Sequence, residues 1–310
     1  MSNKVYDIIT ERIISQLEAG VIPWRKPWGI AGNGEMPKNG ITGRHYSGIN
    51  LLMLNWGEEY FTFKQIQEKK WTIKKGSKAS IVIFFSMLEK PNKNNSEEID
   101  QIPLMRYYNV FAGSDIEGYK EGEKYEHNTI EEAEEIVRKY QEVPIHHHNN
   151  NRAFYSPTED YINVPDLSCF PIAEEYYSTL FHEMTHSTGH LSRLKRFTGI
   201  AANASFGSKA YSFEELIAEL GASFLCGVCG IEQKTLDNSA SYIASWLKVL
   251  KEDNKFIVRA AAKAQKAVDY IQEGSTVHKN KIQNANKPKD TKPRSKKTPH
   301  FNKSGEWIGN

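Results

Sequence analysis

Two histidines four residues apart, His182 and His186, constrain this chain more than any other feature, and Glu183 lies between them. Residues at i and i+4 of a helix lie one turn apart on the same face, so both imidazoles can bind one metal ion. A glutamate beside the first histidine is then placed to act as a general base. The spacing predicts a helix that binds zinc, although the same pattern also arises by chance on surface helices.

The sequence around this motif favours a buried helix with a catalytic ion. Apolar side chains precede the motif, among them Tyr177 and Phe181, as expected of a helix that faces the core. A catalytic zinc ion needs a third protein ligand and an open position for water. Ser192 stands where a third histidine would extend the motif, so the third ligand is expected elsewhere in the chain.

A second amphipathic helix, which begins near Tyr211, offers that ligand. Glu215 and Glu219 lie one turn apart among apolar residues, and an unpaired buried carboxylate would be costly. We expect Glu215 to bind the ion and Glu219 to orient a ligating histidine. The alternative is a helix start enriched in glutamate because of the helix dipole, which explains Glu214 easily and Glu219 poorly.

Amide hydrolysis at such a site would proceed with Glu183 as the base. It would also need a hydrogen-bond donor for the developing oxyanion. Tyr211 and His190 are the two candidates for that donor, and the sequence leaves the choice between them open.

Composition excludes a membrane protein, a fibrous protein and a disulfide-stapled secreted domain. The chain of 310 residues is 39% hydrophobic and 25% charged, as in soluble globular proteins. Its apolar runs fall far short of the roughly 20 residues that span a bilayer, and its N-terminus lacks the pattern of a signal peptide. Of only three cysteines, Cys226 and Cys229 lie at an apolar helix end that favours core packing. We therefore expect a cytoplasmic protein with no membrane partner.

Charge is distributed unevenly along the chain. Residues 1–90 hold 13 Lys and Arg against 8 Asp and Glu, and residues 275–310 hold 9 against 2. Two basic ends therefore flank an acidic centre. This asymmetry suggests contact with nucleic acid, but a solvated charge pattern explains it equally well.

The basic N-terminal part is also rich in aromatic residues. Trp24 and Trp28 surround Arg25 and Lys26, and a proline before each tryptophan predicts a loop that presents the indole rings. Rings that stack on unpaired bases and cations that follow the phosphates are what sequence-tolerant single-strand binding requires. The alternative is a small core that uses tryptophan for its volume.

The order of predicted elements indicates an α+β fold of two domains. An amphipathic helix ends at Gly20, and two β-rich runs, 80–85 and 104–111, have the character of a hairpin. A helix is also expected over 129–142. The expected organisation is a small α+β domain over 1–125, a linker over 126–151, a mostly helical domain with a short edge sheet over 152–273, and a disordered basic tail over 274–310.

Motifs along most of the chain resemble those of one known family. The segments VIPWRKPW, PKNGITGRHYSGIN and YYNVFAGSDIEG resemble the N-terminal single-stranded-DNA-binding domain of ArdC-type antirestriction proteins. The segments FYSPTEDYINVP, TLFHEMTHSTGHLSRLKR and SFEELIAELGASF are similar to the zincin-like metallopeptidase domain that follows it in that family. The resemblance covers about residues 2–272, in order.

This resemblance implies a bacterial cytoplasmic protein of a conjugative plasmid or similar mobile element, which protects incoming single-stranded DNA from host restriction. It implies one Zn²⁺ per chain, held by His182, His186 and Glu215 in a gluzincin-like HExxH…E arrangement with Glu183 as the base. An unidentified protein substrate is implied as well, with the host restriction machinery as a candidate. The residues expected to form the DNA surface are Trp24, Arg25, Lys26, Trp28, Lys38, Asn39, Arg44, Tyr46 and Asn50.

Three function classes remain open on the sequence. The first is a single-strand-binding protein that also cleaves a protein. The second is a DNA-coating protein whose zinc is structural, in which case no ligand position would be left for water. The third is a general intracellular metalloprotease, for which DNA binding would be weak and insensitive to salt.

Overall fold

The computed structural model describes residues 2–24, 36–91, 99–120, 129–148, 152–197, 208–231 and 239–285. Helices and strands both occur, which confirms the predicted α+β class. The helices are α1 (Ser2–Glu18), α2 (Asn50–Met53), α3 (Phe63–Glu68), α4 (Thr129–Lys139), α5 (Ala173–Ser187), α6 (Lys209–Val228), α7 (Ser239–Glu252) and α8 (Phe256–Ala285). The strands are β1 (Lys38–Asn39), β2 (Glu59–Thr62), β3 (Thr72–Ile73), β4 (Ser80–Pro91), β5 (Ile99–Ala112), β6 (Ile116–Glu117), β7 (Ile145–His146), β8 (Phe154–Ser156) and β9 (Tyr161–Asn163). None of the helices in the described ranges is long and apolar enough to cross a bilayer.

Three small sheets are formed by these strands. The largest has the order β1-β2-β5-β4, with β1 parallel to β2 and the other pairs antiparallel. Strands β4 and β5 form the predicted hairpin, and their pairing extends from Ser80 and Val110 to Pro91 and Ile99. Strands β3 and β6 pair with each other, and β7, β9 and β8 form a third sheet with β9 in the middle.

Helix α1 follows its amphipathic pattern closely. Val5, Ile9, Ile13 and Leu17 recur at helical spacing and are all buried. The chain leaves the helix through Gly20, whose φ of 75° lies in the left-handed region that favours glycine. The prediction of an amphipathic helix that stops at this glycine is confirmed.

One hydrophobic core joins residues from both halves of the sequence, and Trp24 is part of it. Trp24 is 0% exposed, its ring lies 5.0 Å from that of Trp246, and its carbonyl accepts a hydrogen bond from the Ser223 hydroxyl. The prediction that Trp24 is presented for base stacking is therefore wrong, because the proline-flanked ring supplies core volume instead. Arg25, Lys26 and Trp28 lie outside the described residues.

The chain divides into two units, Met1–Ser275 and Thr276–Asn310. Helix α4 lies within the predicted linker, and its Ala133 and Ile136 are buried in the core. The proposed domain limits stay predictions. In the second unit, residues 276–285 are helical, and the rest of the expected tail lies outside the described residues.

Candidate metal centre

The two histidines of the motif are presented by α5. Glu174 and Glu175 in its first turn interact favourably with the positive end of the helix dipole. Leu180, Phe181 and Met184 are buried in the core. This packing leaves the two imidazoles on the remaining face, with ring centroids 4.8 Å apart.

Helix α6 supplies the carboxylate that meets them. Ser208 caps this helix by accepting a hydrogen bond from the backbone N–H of Tyr211 at 3.2 Å. Glu215 Oε2 lies 3.6 Å from His182 Nε2, and Glu215 Oε1 lies 3.5 Å from His186 Nε2. The two Nε2 atoms are 3.1 Å apart. The structure thus brings together the three residues that the sequence predicts as ligands.

The donor set fits a divalent metal ion. One ligand atom from each of His182, His186 and Glu215 lies within 4.8 Å of the others. Two imidazoles and a carboxylate suit zinc and other first-row ions. Within the described part of the chain this group has three members, the number found in catalytic sites, which keep a position open.

The three donors open onto a pocket with a volume of about 670 Å³. Glu183 also lines it, is 8% exposed, and makes no side-chain hydrogen bond or ion pair with a described residue. Tyr211 and His190 line the same pocket. The predicted base and both candidate oxyanion donors are therefore grouped around the predicted ligands.

The two candidate donors differ in their present partners. The Tyr211 hydroxyl is hydrogen-bonded to Glu215. Nδ1 of His190 accepts a hydrogen bond from the backbone N–H of Ser192, with a distance of 3.2 Å between the nitrogens. Nδ1 also lies 2.8 Å from Ser192 Oγ and 3.7 Å from Asp160 Oδ2. A neutral imidazole that accepts the Ser192 N–H at Nδ1 carries its proton on Nε2.

Helices α5 and α6 approach each other closely at a glycine. A Cβ on Gly221 would lie 2.5 Å from both Cγ2 and Oγ1 of Thr185, a buried neighbour of His186. Only a hydrogen atom fits between the helices at this point. The glycine therefore sets the spacing of the two helices that carry the ligands.

We expect Gly221→Ala to separate these helices, lower stability by about 1–3 kcal/mol through overpacking, and weaken metal binding. Gly227→Ala is the matched control on the same helix, since its Cβ would lie 2.4 Å from the ring of Trp56. The control should lose stability and keep its zinc affinity. Thermal unfolding and chelator competition measure the two quantities. A Gly221→Ala protein with wild-type zinc affinity would contradict this role.

Charges around the ligands determine which groups hold protons in the metal-free site. Burial works to lower the pKa of His182, but its hydrogen bond with Glu215 and the charges of Glu183 and Glu219 raise it to about 9. Burial works to raise the pKa of Glu215, but hydrogen bonds from His182 and Tyr211 and the histidine charges lower it to about 2. At neutral pH, His182 is therefore protonated and Glu215 is ionised.

Metal binding should consequently compete with this proton. Because only the neutral imidazole binds a metal ion, we expect zinc affinity to fall about tenfold per pH unit as the pH drops below about 9. Calorimetry at pH 7.5 in two buffers with different ionisation enthalpies should show release of about one proton per zinc ion. Release of no proton would show that His182 is already neutral.

A second glutamate of α6 contacts the ligands in a way that the sequence did not predict. Glu214 Oε1 lies 3.4 Å from His186 Nδ1, on the side of the ring opposite Nε2. Burial works to raise the pKa of Glu214, but the charge of Arg196 and hydrogen bonds from His186 and Arg196 lower it. The helix-dipole alternative does not account for Glu214, because this carboxylate lies against the imidazole of His186, a predicted ligand, and is placed to orient it.

Arg196 holds that carboxylate in place. Its Nη2 donates to Glu214 Oε1 at 2.7 Å and to the Thr185 carbonyl at 2.7 Å, and its Nη1 donates to Thr188 Oγ1 at 2.7 Å. The arginine side chain is 5% exposed. Glu219, to which the sequence assigned the orienting role, raises the pKa of His182 through its charge, and its orienting role stays a prediction.

A second buried arginine fixes the wall of the pocket. Arg193 donates to Asp160 Oδ2 at 3.0 Å, to the Tyr155 hydroxyl at 3.0 Å and to the Ser187 carbonyl at 2.7 Å. These bonds tie the turn between β8 and β9 to the end of α5. No bond of Arg193 reaches a ligand among the described residues.

The predicted DNA-contacting residues do not form one exposed group. The Asn50 amide donates to the Ile83 carbonyl at 2.9 Å and accepts the Ile83 N–H at 2.7 Å, so it joins α2 to β4. Its assignment to a DNA surface is corrected, because the side chain is 9% exposed and both ends of the amide are bonded within the fold.

The other members of that group have mixed environments. Asn39 accepts hydrogen bonds from the backbone of the turn that follows it. Lys38 pairs with Glu59 at 3.5 Å, and Tyr46 packs edge-on against Tyr60 with centroids 6.2 Å apart. Arg44 is exposed.

Comparison with known proteins gives two family matches. Residues 3–111 match the model of the N-terminal domain of anti-restriction factor ArdC, and residues 131–263 match that of a zincin-like metallopeptidase. Among solved structures, the metal-free crystal structure of the antirestriction ArdC protein from plasmid R388 aligns with a TM-score of 0.71 and 37% identity, covering 86% of this chain and 96% of that one. The Mn(II)-bound structure of the same protein aligns with a TM-score of 0.68 and 36% identity, covering 86% and 97%.

Curated relatives include longer proteins. Two proteins of Escherichia coli named DNA primase TraC are 33% and 32% identical over 86% of this chain. The chain spans only 27% and 20% of their lengths. The uncharacterized protein y4eC of Sinorhizobium fredii (strain NBRC 101917 / NGR234) is 29% identical over 91% of this chain and 96% of its own length.

Proposed function

Because the chain belongs to the ArdC family of antirestriction proteins, we propose that it protects the incoming DNA of a mobile element from host restriction. In this proposal it binds single-stranded DNA through its N-terminal half and carries a zinc-dependent peptidase site in its C-terminal half. It acts in the bacterial cytoplasm, where entering DNA meets restriction enzymes. The R388 plasmid origin of the solved relative and the TraC names of two others support the mobile-element context.

One observation carries the enzymatic part of the proposal. His182, His186 and Glu215 meet at a pocket that Glu183 also lines. A structural zinc ion is normally enclosed by four protein ligands, whereas a catalytic one has three and an open position. The grouping of three donors beside a pocket therefore favours catalysis over a structural role. We propose one Zn²⁺ per chain, and the existence of a Mn(II)-bound structure of a relative supports a divalent ion as the cofactor.

The residues around the metal donors have separate roles in the proposed amide hydrolysis. The ion held by His182, His186 and Glu215 would supply Lewis-acid chemistry. Glu183 takes a proton from the attacking water and passes it to the leaving amine. Between these two proton transfers the tetrahedral intermediate carries an oxyanion, which Nε2–H of a neutral His190 stabilises. The Tyr211 hydroxyl would first have to leave Glu215.

The substrate of this site is proposed to be a protein. The pocket is lined by aromatic and apolar groups, including Phe154, Phe197 and Leu191, which suit a peptide side chain. A host restriction enzyme is the candidate that connects cleavage with protection of DNA.

The wild-type protein provides the first test. We expect a salt-dependent preference for single-stranded over double-stranded oligonucleotides, with one zinc ion per chain in the same sample by elemental analysis. Zinc without DNA binding would leave a metallopeptidase and refute the DNA part of the proposal. DNA binding with no zinc uptake would refute the enzymatic part.

A further inference from the structure

The hairpin of β4 and β5 exposes an unusual amount of aromatic surface. Phe84 is 45% exposed, Phe85 58%, Tyr107 47% and Tyr108 44%. These are four of the nine large apolar side chains that are exposed in the described part of the chain. Exposed apolar groups scattered singly need no explanation, but a concentration of them marks an interaction site.

The strand register places one ring from each strand on the same face. Phe84 is opposite Arg106, and Val82 is opposite Tyr108. Opposite residues of an antiparallel pair share a face, as do residues two apart along a strand. Phe84, Arg106 and Tyr108 therefore lie on one face, with the two ring centroids 6.5 Å apart. We call these three residues the ring cluster.

The fold does not need these rings for its core. On the same face, Val82 and Val110 are buried in a small cluster with Leu54 and Tyr60. Val82 is the last buried side chain of β4 on this face, and Tyr108, which lies opposite it on β5, is already exposed. The ring cluster therefore begins directly at the edge of the buried part of the face.

The cation in the cluster points to the kind of partner. The side chain of Arg106 is exposed and forms no ion pair or hydrogen bond with a described residue. Two exposed Lys residues, Lys75 and Lys78, precede β4. Aromatic faces that stack on bases, combined with cations that follow phosphates, are the elements of single-strand recognition, whereas an apolar protein partner would leave the guanidinium unpaired.

We propose that the ring cluster is the surface on which unpaired bases of single-stranded nucleic acid stack. This inference rests on the proposed DNA-binding function and replaces Trp24, which is buried, as the stacking group. Phe84 and Tyr108 contact the base faces, and Arg106 lies beside the phosphates. Duplex DNA, whose bases are already stacked, makes few of these contacts.

The test compares variants of the full-length chain in binding to a fluorescent oligothymidylate. Phe84→Ala and Tyr108→Ala should each weaken binding about tenfold, and Tyr108→Phe, which keeps the ring, should bind like the wild type. Arg106→Gln should weaken binding and reduce its dependence on salt. The matched control is Phe63→Ala, since Phe63 is 55% exposed at the start of α3, and it should leave affinity unchanged.

A second measurement does not depend on variants. Irradiation of the wild type with an oligonucleotide that contains 5-iodouracil should cross-link peptides with Phe84 or Tyr108, identified by mass spectrometry. If the wild type binds single strands while the ring variants bind equally well and cross-links lie elsewhere, the inference is wrong and the proposed function stands. If the wild type binds no DNA, the proposed function itself fails. Ring variants that change only self-association, measured by sedimentation, would assign the surface to a second copy of the chain.

Discussion

Glu183→Gln is expected to leave the metal site intact and to lower peptide cleavage by at least about a hundredfold. Glutamine keeps the size of the side chain but cannot accept a proton from water. Glu183 has no hydrogen-bond or ion-pair partner among the described residues, so the change should cost little stability. Cleavage is measured with a proteome-derived peptide library analysed by mass spectrometry, and zinc content is determined on the same sample.

Two controls define this result. His182→Ala removes a ligand and should lose zinc and cleavage together, whereas Glu183→Gln should lose only cleavage. The wild type should lose cleavage when a chelator removes its zinc, and it should recover cleavage when zinc is added back. Cleavage by Glu183→Gln at the wild-type rate would exclude Glu183 as the base.

Local patterns predicted the elements that hold the candidate site. The i and i+4 spacing of His182 and His186 depends only on helix geometry, and the apolar neighbours of Glu215 indicated that its helix faces the core. Both features are properties of a single helix, so they can be recognised from the sequence of that helix alone. The prediction that the two helices meet rested on the chemical demand for a third ligand. In the structure a ligand atom of Glu215 lies within 4.8 Å of those of both histidines, and its role as a ligand stays a prediction.

Contacts between segments that are distant in sequence could not be predicted from local patterns. Trp24 was expected at the surface because its neighbours are prolines and cations, but Trp246, more than 200 residues away in sequence, packs against it. For Glu214 the sequence offered only the helix dipole as an alternative explanation, since no spacing rule predicts its salt bridge with Arg196. Both outcomes depend on tertiary packing, which overrides local preference.

In the N-terminal half, too, local elements were predicted from the sequence and tertiary contacts were not. The hairpin was predicted from its β-branched and aromatic runs, and it is present. Which of its side chains are buried follows from the register, from the pairing of β2 with β5 and from the contact of α2 with β4. Composition alone therefore indicated aromatic residues in this region but could not distinguish the buried Trp24 from the exposed Phe84 and Tyr108.

Arg196→Met is expected to damage both stability and metal binding. It removes the cation that pairs with the largely buried Glu214 carboxylate, whose side chain is 16% exposed, and an uncompensated charge of this kind costs up to about 3–5 kcal/mol. It also frees Glu214 from the position in which it meets His186 Nδ1 at 3.4 Å. Loss of such support typically lowers metal affinity by about 10- to 100-fold. Urea unfolding of the metal-free protein and chelator competition for zinc measure the two effects.

Arg193→Met separates the effect on the metal from the effect of losing any buried arginine. The side chain of Arg193 is 2% exposed and pairs with that of Asp160, which is 31% exposed and can be solvated when the partner is lost. Its loss should therefore cost less stability and leave zinc affinity unchanged. The double variant Arg196→Met with Glu214→Gln removes the orphan carboxylate as well, so it should recover part of the stability but none of the metal affinity. If Arg196→Met bound zinc as tightly as Arg193→Met, the pair of Arg196 and Glu214 would stabilise the fold without supporting His186.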